Sequence, residues 1–119
     1  MMKNYIRRRL SHLRKAANKK AAKNASLNAR RVGKRIVREV MSRAKDGCFE
    51  ALIIYPTKVY PNDLTFKQQK TSLEYTRYLL NDCDLDLVVK WLEDHGLDVS
   101  RCKSTVEQRE QPGIKVYSY

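Results

Sequence analysis

Arginine and lysine side chains are the residues of this chain whose number and spacing point most clearly to chemistry. Sixteen of its 25 Lys and Arg residues lie among the first 46 residues, where the only acidic residues are Glu39 and Asp46. A long row of cationic side chains neutralises the phosphates of a nucleic-acid backbone and releases their counterions. The side chains predicted to bind phosphate are Arg7, Arg8, Arg9, Arg14, Lys15, Lys19, Lys20, Arg30, Arg31, Lys34, Arg35 and Arg38.

The positive charge is confined to one part of the chain. The formal net charge is +12, yet acidic residues outnumber basic ones after residue 46. A cationic segment on a nearly neutral body is attracted to polyanions. The predicted partner is therefore DNA or RNA, bound without readout of its sequence, or an acidic surface of a neighbouring protein in a larger assembly. No small-molecule substrate and no cofactor is indicated.

Other classes of basic segment share parts of this composition. An acid-free, Arg-rich N-terminus is also typical of organelle transit peptides, although Lys and Asn outnumber Ser here. Lys/Arg clusters also occur in nuclear import signals. A helix on a membrane surface would need bulkier apolar residues than the alanines that follow Leu13. We expect no membrane partner.

Tyrosines offer a second way of binding nucleic acid, by stacking on bases. Lys115, Tyr117 and Tyr119 share one face of a predicted strand, opposite Ile114 and Val116. The alternative is that the tyrosine rings cover the edges of a small core while their hydroxyls reach water. The tyrosines concerned are Tyr55, Tyr60, Tyr75, Tyr78, Tyr117 and Tyr119.

Metal binding and catalysis are not favoured. Asp82, Asp84 and Asp86 are spaced as in a calcium loop, but Leu87 occupies the position where that loop requires glycine. Carboxylates at this place are better explained as the cap of a helix. The three cysteines and two histidines lack the paired spacing of a zinc site. No motif positions a nucleophile or a base, so we predict no metal site and no enzymatic activity.

The basic segment is predicted to be helical. Ile6, Leu10, Leu13, Ala17 and Ala21 recur every three or four residues, and a stronger apolar seam runs through Ala29, Val32, Ile36, Val40 and Ala44. Ser26 is a candidate N-cap for a second helix over residues 27–45, and Gly47 is a candidate for its C-terminal left-handed residue. Gly33 indicates close packing or a kink. Whether residues 1–45 form one helix or two stays open.

The remaining elements are shorter. Residues 48–55 predict a strand covered on both faces, followed by a loop over 56–63 and a helix over about 65–81. Asp84 is expected to cap a helix over 85–95 that ends at Gly96. A strand begins at 97–100, Gln111-Pro112-Gly113 fits a type II turn, and 114–119 form the last strand.

Residues 36–47, 49–55, 87–99 and 114–119 resemble a pattern common in small tailed-phage proteins. In that pattern a helix runs into a glycine and a strand, and a later helix ends in Gly-Leu-x-Val before a terminal strand. The resemblance covers about half of the chain and belongs to no named family. It implies a non-enzymatic virion component or a host-takeover factor, and it assigns no site residues.

Together these features predict an α+β protein: a long basic helical arm over residues 1–25, and a small domain over residues 26–119. The domain is expected to contain a three-stranded, mainly antiparallel sheet packed with helices. Residues 1–13 lack the apolar region of a secretory signal, and the three cysteines are widely spaced and odd in number. We therefore expect reduced thiols and a cytoplasmic location, which for a phage protein means the host cytoplasm or the virion.

Overall fold

A computed structural model describes residues 2–58, 62, 64–106 and 108–117. Two predicted features, the loop over 56–63 and the last strand over 114–119, lie partly outside the described residues. Tyr60 and Tyr119 lie outside them altogether. In chain order the elements are α1 (Met2–Lys45), β1 (Leu52–Ile54), α2 (Phe66–Thr71), α3 (Leu73–Leu79), a 3-10 turn (Leu80–Asp82), α4 (Leu85–Asp94), β2 (Asp98–Val106) and β3 (Arg109–Tyr117).

Helix α1 is continuous over 44 residues. At ~1.5 Å per residue this gives a rod of roughly 66 Å, which accounts for the longest dimension of the molecule, 69 Å. The prediction that Ser26 caps a second helix is wrong, since Ser26 lies inside α1. Its neighbours Ala25 and Leu27 are strong helix formers and no Gly or Pro precedes Gly33, so the chain has no residue that would interrupt the helix there.

The end of α1 follows the predicted glycine cap. Gly47 has φ +80°, and its N–H donates to the carbonyl of Ala44 at 3.0 Å while the Cys48 N–H donates to the carbonyl of Arg43 at 2.9 Å. These bonds satisfy carbonyls that the last helical turn leaves without partners.

The predicted three-stranded sheet is confirmed, and both of its strand pairs are antiparallel in the order β1-β3-β2. Ile114 and Val116 of β3 point into the core, where the apolar seam of α1 and the buried side chains of α4 meet them. The core residues are Ala29, Val32, Ile36, Val40, Leu52, Ile54, Leu80, Val88, Leu92, Ile114 and Val116. Helices thus cover one face of the sheet.

Gly33 marks close packing. A Cβ built on Gly33 would lie 2.3 Å from Cε3 of Trp91, so the indole of α4 rests directly on the backbone of α1. The ring of His95 stacks on the indole, with ring centroids 3.8 Å apart. The Gly33 contact therefore fixes how α4 crosses α1.

Three further local predictions are wrong: those for the first strand, for the helix over 65–81 and for the Gln111-Pro112-Gly113 turn. Only Leu52–Ile54 form the first strand, and Ile53 is 48% exposed, so this strand is covered on one face. The helix predicted over 65–81 is divided at Ser72, which has extended dihedrals and whose hydroxyl accepts from the N–H of Glu74 at 3.1 Å. A serine that bonds to the backbone in this way begins a new helix.

The Gln111-Pro112-Gly113 segment lies inside β3 and is no turn. Pro112 is opposite Lys103 of β2, but β1 pairs with β3 only from Ile114 to Val116. Because β1 is so short, Pro112 occupies a position where β3 is an edge strand, and a missing N–H is tolerated there. At the end of the β2–β3 hairpin, Gln108 has φ +64°.

No helix among the described residues is long and apolar enough to cross a membrane.

Candidate nucleic-acid interface

The described part of the arm projects into solvent. Every side chain from Asn4 to Asn24 is exposed, and burial on α1 begins with Ala25 and Asn28. The helix nevertheless continues through the arm because residues 29–44 are packed against α3 and α4. Packing there offsets the cost of nucleation, so the arm extends a helix that already exists.

A basic stripe follows the solvent side of α1. At ~100° per residue, its eight side chains fall within an arc of roughly 120° and extend over about 44 Å of helix. All eight are exposed and lie on the side of the helix away from the buried residues Ala29, Ile36 and Val40. The stripe consists of Arg9, Lys19, Lys20, Lys23, Arg30, Arg31, Lys34 and Arg38.

The other four predicted residues of the arm lie on the opposite side of the helix. Arg7, Arg8, Arg14 and Lys15 occupy a second arc of about 120°, centred on the direction that faces the core further along α1. All four are exposed because the body of the protein does not extend beside the arm. A single duplex lying along the stripe would leave these four side chains on its far side.

Arg35 differs from the other predicted residues because its guanidinium is engaged within the protein. Its Nε donates to the hydroxyl of Thr76 at 2.9 Å, and one terminal nitrogen donates to the carbonyls of Gln69 at 2.6 Å and Ser72 at 3.3 Å. The guanidinium carbon also lies 5.0 Å from the ring centroid of Tyr75. Burial, more than any neighbouring charge, lowers the pKa of Arg35.

These contacts give Arg35 a structural role. The carbonyls of Gln69 and Ser72 lie where α2 ends, and carbonyls at a helix end need a partner from elsewhere. Arg35 supplies donors to both and so ties the α2–α3 junction to α1. A guanidinium with three of its donors committed in this way, and partly buried, is poorly placed to bind a phosphate as well.

Acidic side chains within α1 hardly reduce the potential of the stripe, and on the body Asp82 lies beside Arg31 at one edge of it. The first acidic residue of the chain, Glu39, is close to the end of α1 and pairs with Arg43 one turn later at 3.6 Å. No acidic residue interrupts the row from Asn4 to Arg38, so its field is not compensated along the helix.

Comparisons with protein-family models, curated proteins and solved structures found no match to this chain.

The predicted tyrosines separate into two groups. Tyr75 and Tyr78 belong to α3, where their rings stack with centroids 6.1 Å apart and Tyr75 lies beside Arg35. Tyr55 and Tyr117 lie on the other side of the molecule, on the sheet face that the helices do not cover. The structure therefore brings two of the predicted tyrosines onto one open surface.

Asp84 has the capping role expected of it, since its carboxylate accepts from the N–H of Asp86 at 2.9 Å at the start of α4. In the described part of the chain, no three His, Cys, Asp or Glu side chains come close enough together to hold a metal. Cys48, Cys83 and Cys102 are free thiols, each half-buried. Burial, followed by the nearby charge of Asp82, raises the pKa of Cys83.

Two features of this surface were missing from the sequence prediction. Lys23 belongs to the stripe, and its spacing of four from Lys19 and seven from Arg30 is the signal that would have included it. The position of Tyr55 above β3 was also not foreseen. A glycine within a strand, Gly113, was the available sign that another group approaches the backbone closely there.

Proposed function

We propose that this protein is a non-enzymatic nucleic-acid-binding protein that contacts the phosphate backbone through α1 without reading sequence. The observation that supports the proposal is the basic stripe, an exposed row of eight cations on one side of a single rigid helix. A continuous helix fixes the spacing of these cations before binding. The conformational entropy lost on binding is therefore only that of the cationic side chains, because the backbone is already ordered.

The proposed absence of sequence readout rests on the length of the stripe. Phosphate contacts position a protein on a duplex, whereas base contacts specify the site. The stripe extends over about 44 Å of straight helix, whereas a helix that reads base edges does so with about three or four side chains. Affinity for a duplex would accordingly depend on its length and on salt, and little on its sequence.

The experiment compares two triple variants by their affinity for a duplex of about 30 base pairs at several salt concentrations. K19Q/K20Q/K23Q removes three adjacent cations from the stripe, while K67Q/K90Q/R109Q removes three exposed cations from the body. If three phosphate contacts are lost, the slope of log affinity against log salt becomes shallower by about 2 to 3 in the stripe variant. The control should retain the wild-type slope. Equal effects of the two variants, or none, would contradict the proposal.

The arm also favours a second candidate function, a structural component of a larger assembly such as a phage virion. Ile6, Leu10 and Leu13 are 54%, 57% and 54% exposed and form an apolar strip between the two cationic arcs. A phosphate backbone makes no use of such a strip, whereas an acidic neighbouring subunit with an apolar groove would contact both. The resemblance to small tailed-phage proteins is compatible with this alternative.

Replacing the apolar strip separates the two functions. I6Q/L10Q/L13Q keeps every charge, so nucleic-acid binding should stay at its wild-type level. Loss of an interaction with copurifying particles or protein, together with unchanged affinity for a duplex, would favour the assembly function.

A further inference from the structure

The sheet has an outer face that none of the described helices covers. Alternation along β3 places Ile114 and Val116 inward, and Gly113, Lys115 and Tyr117 outward. On the neighbouring strands, Ile53 of β1 and Ser100 of β2 lie opposite Lys115, and both are exposed. We call this surface the outer face.

The ring of Tyr55 lies on the outer face. A Cβ on Gly113 would be 2.4 Å from Cδ1 and 2.5 Å from Cε1 of the Tyr55 ring, so the ring is in contact with the backbone of β3. Hydrogen bonding with Cys102 raises the pKa of Tyr55, and the hydroxyl of Ser104 acts in the opposite direction. Since Cys102 pairs with Gly113, the tyrosine extends from β1 across β3 to β2.

This arrangement places the ring over Gly113. The Cδ1–Cε1 edge of the ring is the part nearest to Gly113, and Tyr55 is half-buried, so part of the residue stays accessible to solvent. Any residue larger than glycine at position 113 would displace the ring, which explains why a glycine is found in the middle of a strand. The hydroxyl lies near Cys102 and Ser104 of β2.

A cation of β3 lies on the same face of the sheet as this ring. Lys115 follows Gly113 by two residues, and its Nζ is 5.4 Å from the ring centroid of Tyr117. At ~3.4 Å per residue the positions of Gly113 and Tyr117 are roughly 14 Å apart. The outer face therefore carries an aromatic ring, a cation and a second aromatic ring in a row.

The size of the outer face limits what could occupy it. Three strands spaced ~4.8 Å apart, over five residues of β3, give an area of roughly 200 to 300 Å². A stable protein interface buries about 800 Å² on each partner, so a second protein would need much more surface than this face offers. A flat ring with a neighbouring cation suits a nucleic-acid base and its phosphate, since every base has a π-face.

We propose that the outer face is a second nucleic-acid site, at which Tyr55 stacks on a base of a single strand and Lys115 contacts an adjacent phosphate. The inference rests on the proposed function, because the partner is again nucleic acid, but the form of the partner differs. Bases in a duplex are stacked on each other and present no free π-face, so this site would select unpaired nucleotides. The basic stripe would bind duplex and single strand alike.

The test measures the affinity of the full chain for a single-stranded oligonucleotide and for a duplex of equal length. Y55L should weaken single-strand binding by about 5- to 150-fold, the range for loss of one base–aromatic stack, and should leave duplex binding unchanged. Y55F retains the ring and should bind like the wild type. F66L is the matched control, because Phe66 is an exposed aromatic residue with Lys70 4.7 Å from its ring but lies on α2.

Ultraviolet crosslinking of the wild type to the single strand, with the crosslinked peptide identified by mass spectrometry, gives a readout that requires no variant. A crosslink at Tyr55 supports the site. Crosslinks confined to α1, equal effects of Y55L and F66L, or equal losses for duplex and single strand would overturn it. So would a change of oligomeric state in Y55L with normal single-strand binding, which would make the outer face a protein interface.

The outcomes also distinguish the two proposals. A wild-type protein that binds duplex with a steep salt dependence, while Y55L behaves normally on the single strand, would overturn only the stacking site. A wild-type protein that binds neither nucleic acid at about 50 mM salt would overturn both.

Discussion

The charges of the arm predict that one substitution strengthens its helix and weakens its binding. Lys19 has Lys15 four residues before it and Lys23 four residues after it, and all three side chains are exposed. Like charges at this spacing repel, whereas opposite charges attract. K19E converts both repulsive pairs into attractive ones, and in the pair with Lys23 the introduced carboxylate is N-terminal to the lysine, which is the better orientation.

The expected magnitude follows from the two pairs. Each like-charge pair costs about 0.2 to 0.5 kcal/mol and each opposite-charge pair contributes a similar amount. Two conversions therefore stabilise the arm by about 0.8 to 2 kcal/mol at low salt, which corresponds to about 4- to 30-fold slower amide hydrogen exchange in residues 12–24. The same variant loses a cation of the stripe, so its affinity for a duplex should fall by about tenfold at about 100 mM salt.

Arg14 provides the matched control. R14E changes the net charge by the same amount, but the residues three and four positions away are Leu10, Ser11, Ala17 and Asn18, none of which is charged. Its amide exchange should stay close to that of the wild type. Unchanged or faster exchange in K19E would refute the assignment of the arm's stability to these charge pairs. Equal loss of affinity in K19E and R14E would show that net charge, and not the stripe, determines binding.

Three further predictions concern the body of the protein. G33A should lower the free energy of unfolding by about 1 to 2 kcal/mol in urea titrations, because the clash with Trp91 outweighs the roughly 1 kcal/mol that alanine contributes to a helix; a more stable G33A would contradict the packing described. R35A should lower the free energy of unfolding by about 2 to 3 kcal/mol in the same titration, while K34A on the exposed side should change it by no more than about 0.5 kcal/mol. Similar losses in the two variants would contradict a structural role for Arg35. Burial raises the pKa of Cys83, so the native state retains this proton longer than the unfolded state and stability should decline as pH rises above the ordinary thiol value of 9.0. C83A should make that decline shallower, and an unchanged pH dependence in C83A would assign it to other groups.

Much of the fold could be predicted because the local signals agree with the tertiary contacts. The seam of Val32, Ile36 and Val40 becomes the core face of α1. Asp84 and Gly47 lie where helix caps belong. At both caps, one residue type satisfies a requirement of the local backbone that does not depend on the rest of the chain.

The errors arose where a distant partner decides the local structure. Gln111-Pro112-Gly113 has the residues of a turn but pairs with β2 as a strand, and nothing near it in sequence shows that β1 ends too early to meet Pro112. In the sequence, Arg35 resembles its cationic neighbours. Its guanidinium nevertheless donates to the carbonyls of Gln69 and Ser72, which are 34 and 37 residues away. The position of the Tyr55 ring depends equally on Gly113, which belongs to β3.

The central claim, that the basic stripe binds phosphates, is tested most directly by the salt dependence of wild-type binding to a duplex of random sequence. Contacts from between four and all eight cations of the stripe predict a plot of log affinity against log salt with a slope between about −4 and −7. The slope should be the same for unrelated duplex sequences of one length. A slope near zero, or no binding at about 50 mM salt, would contradict the account.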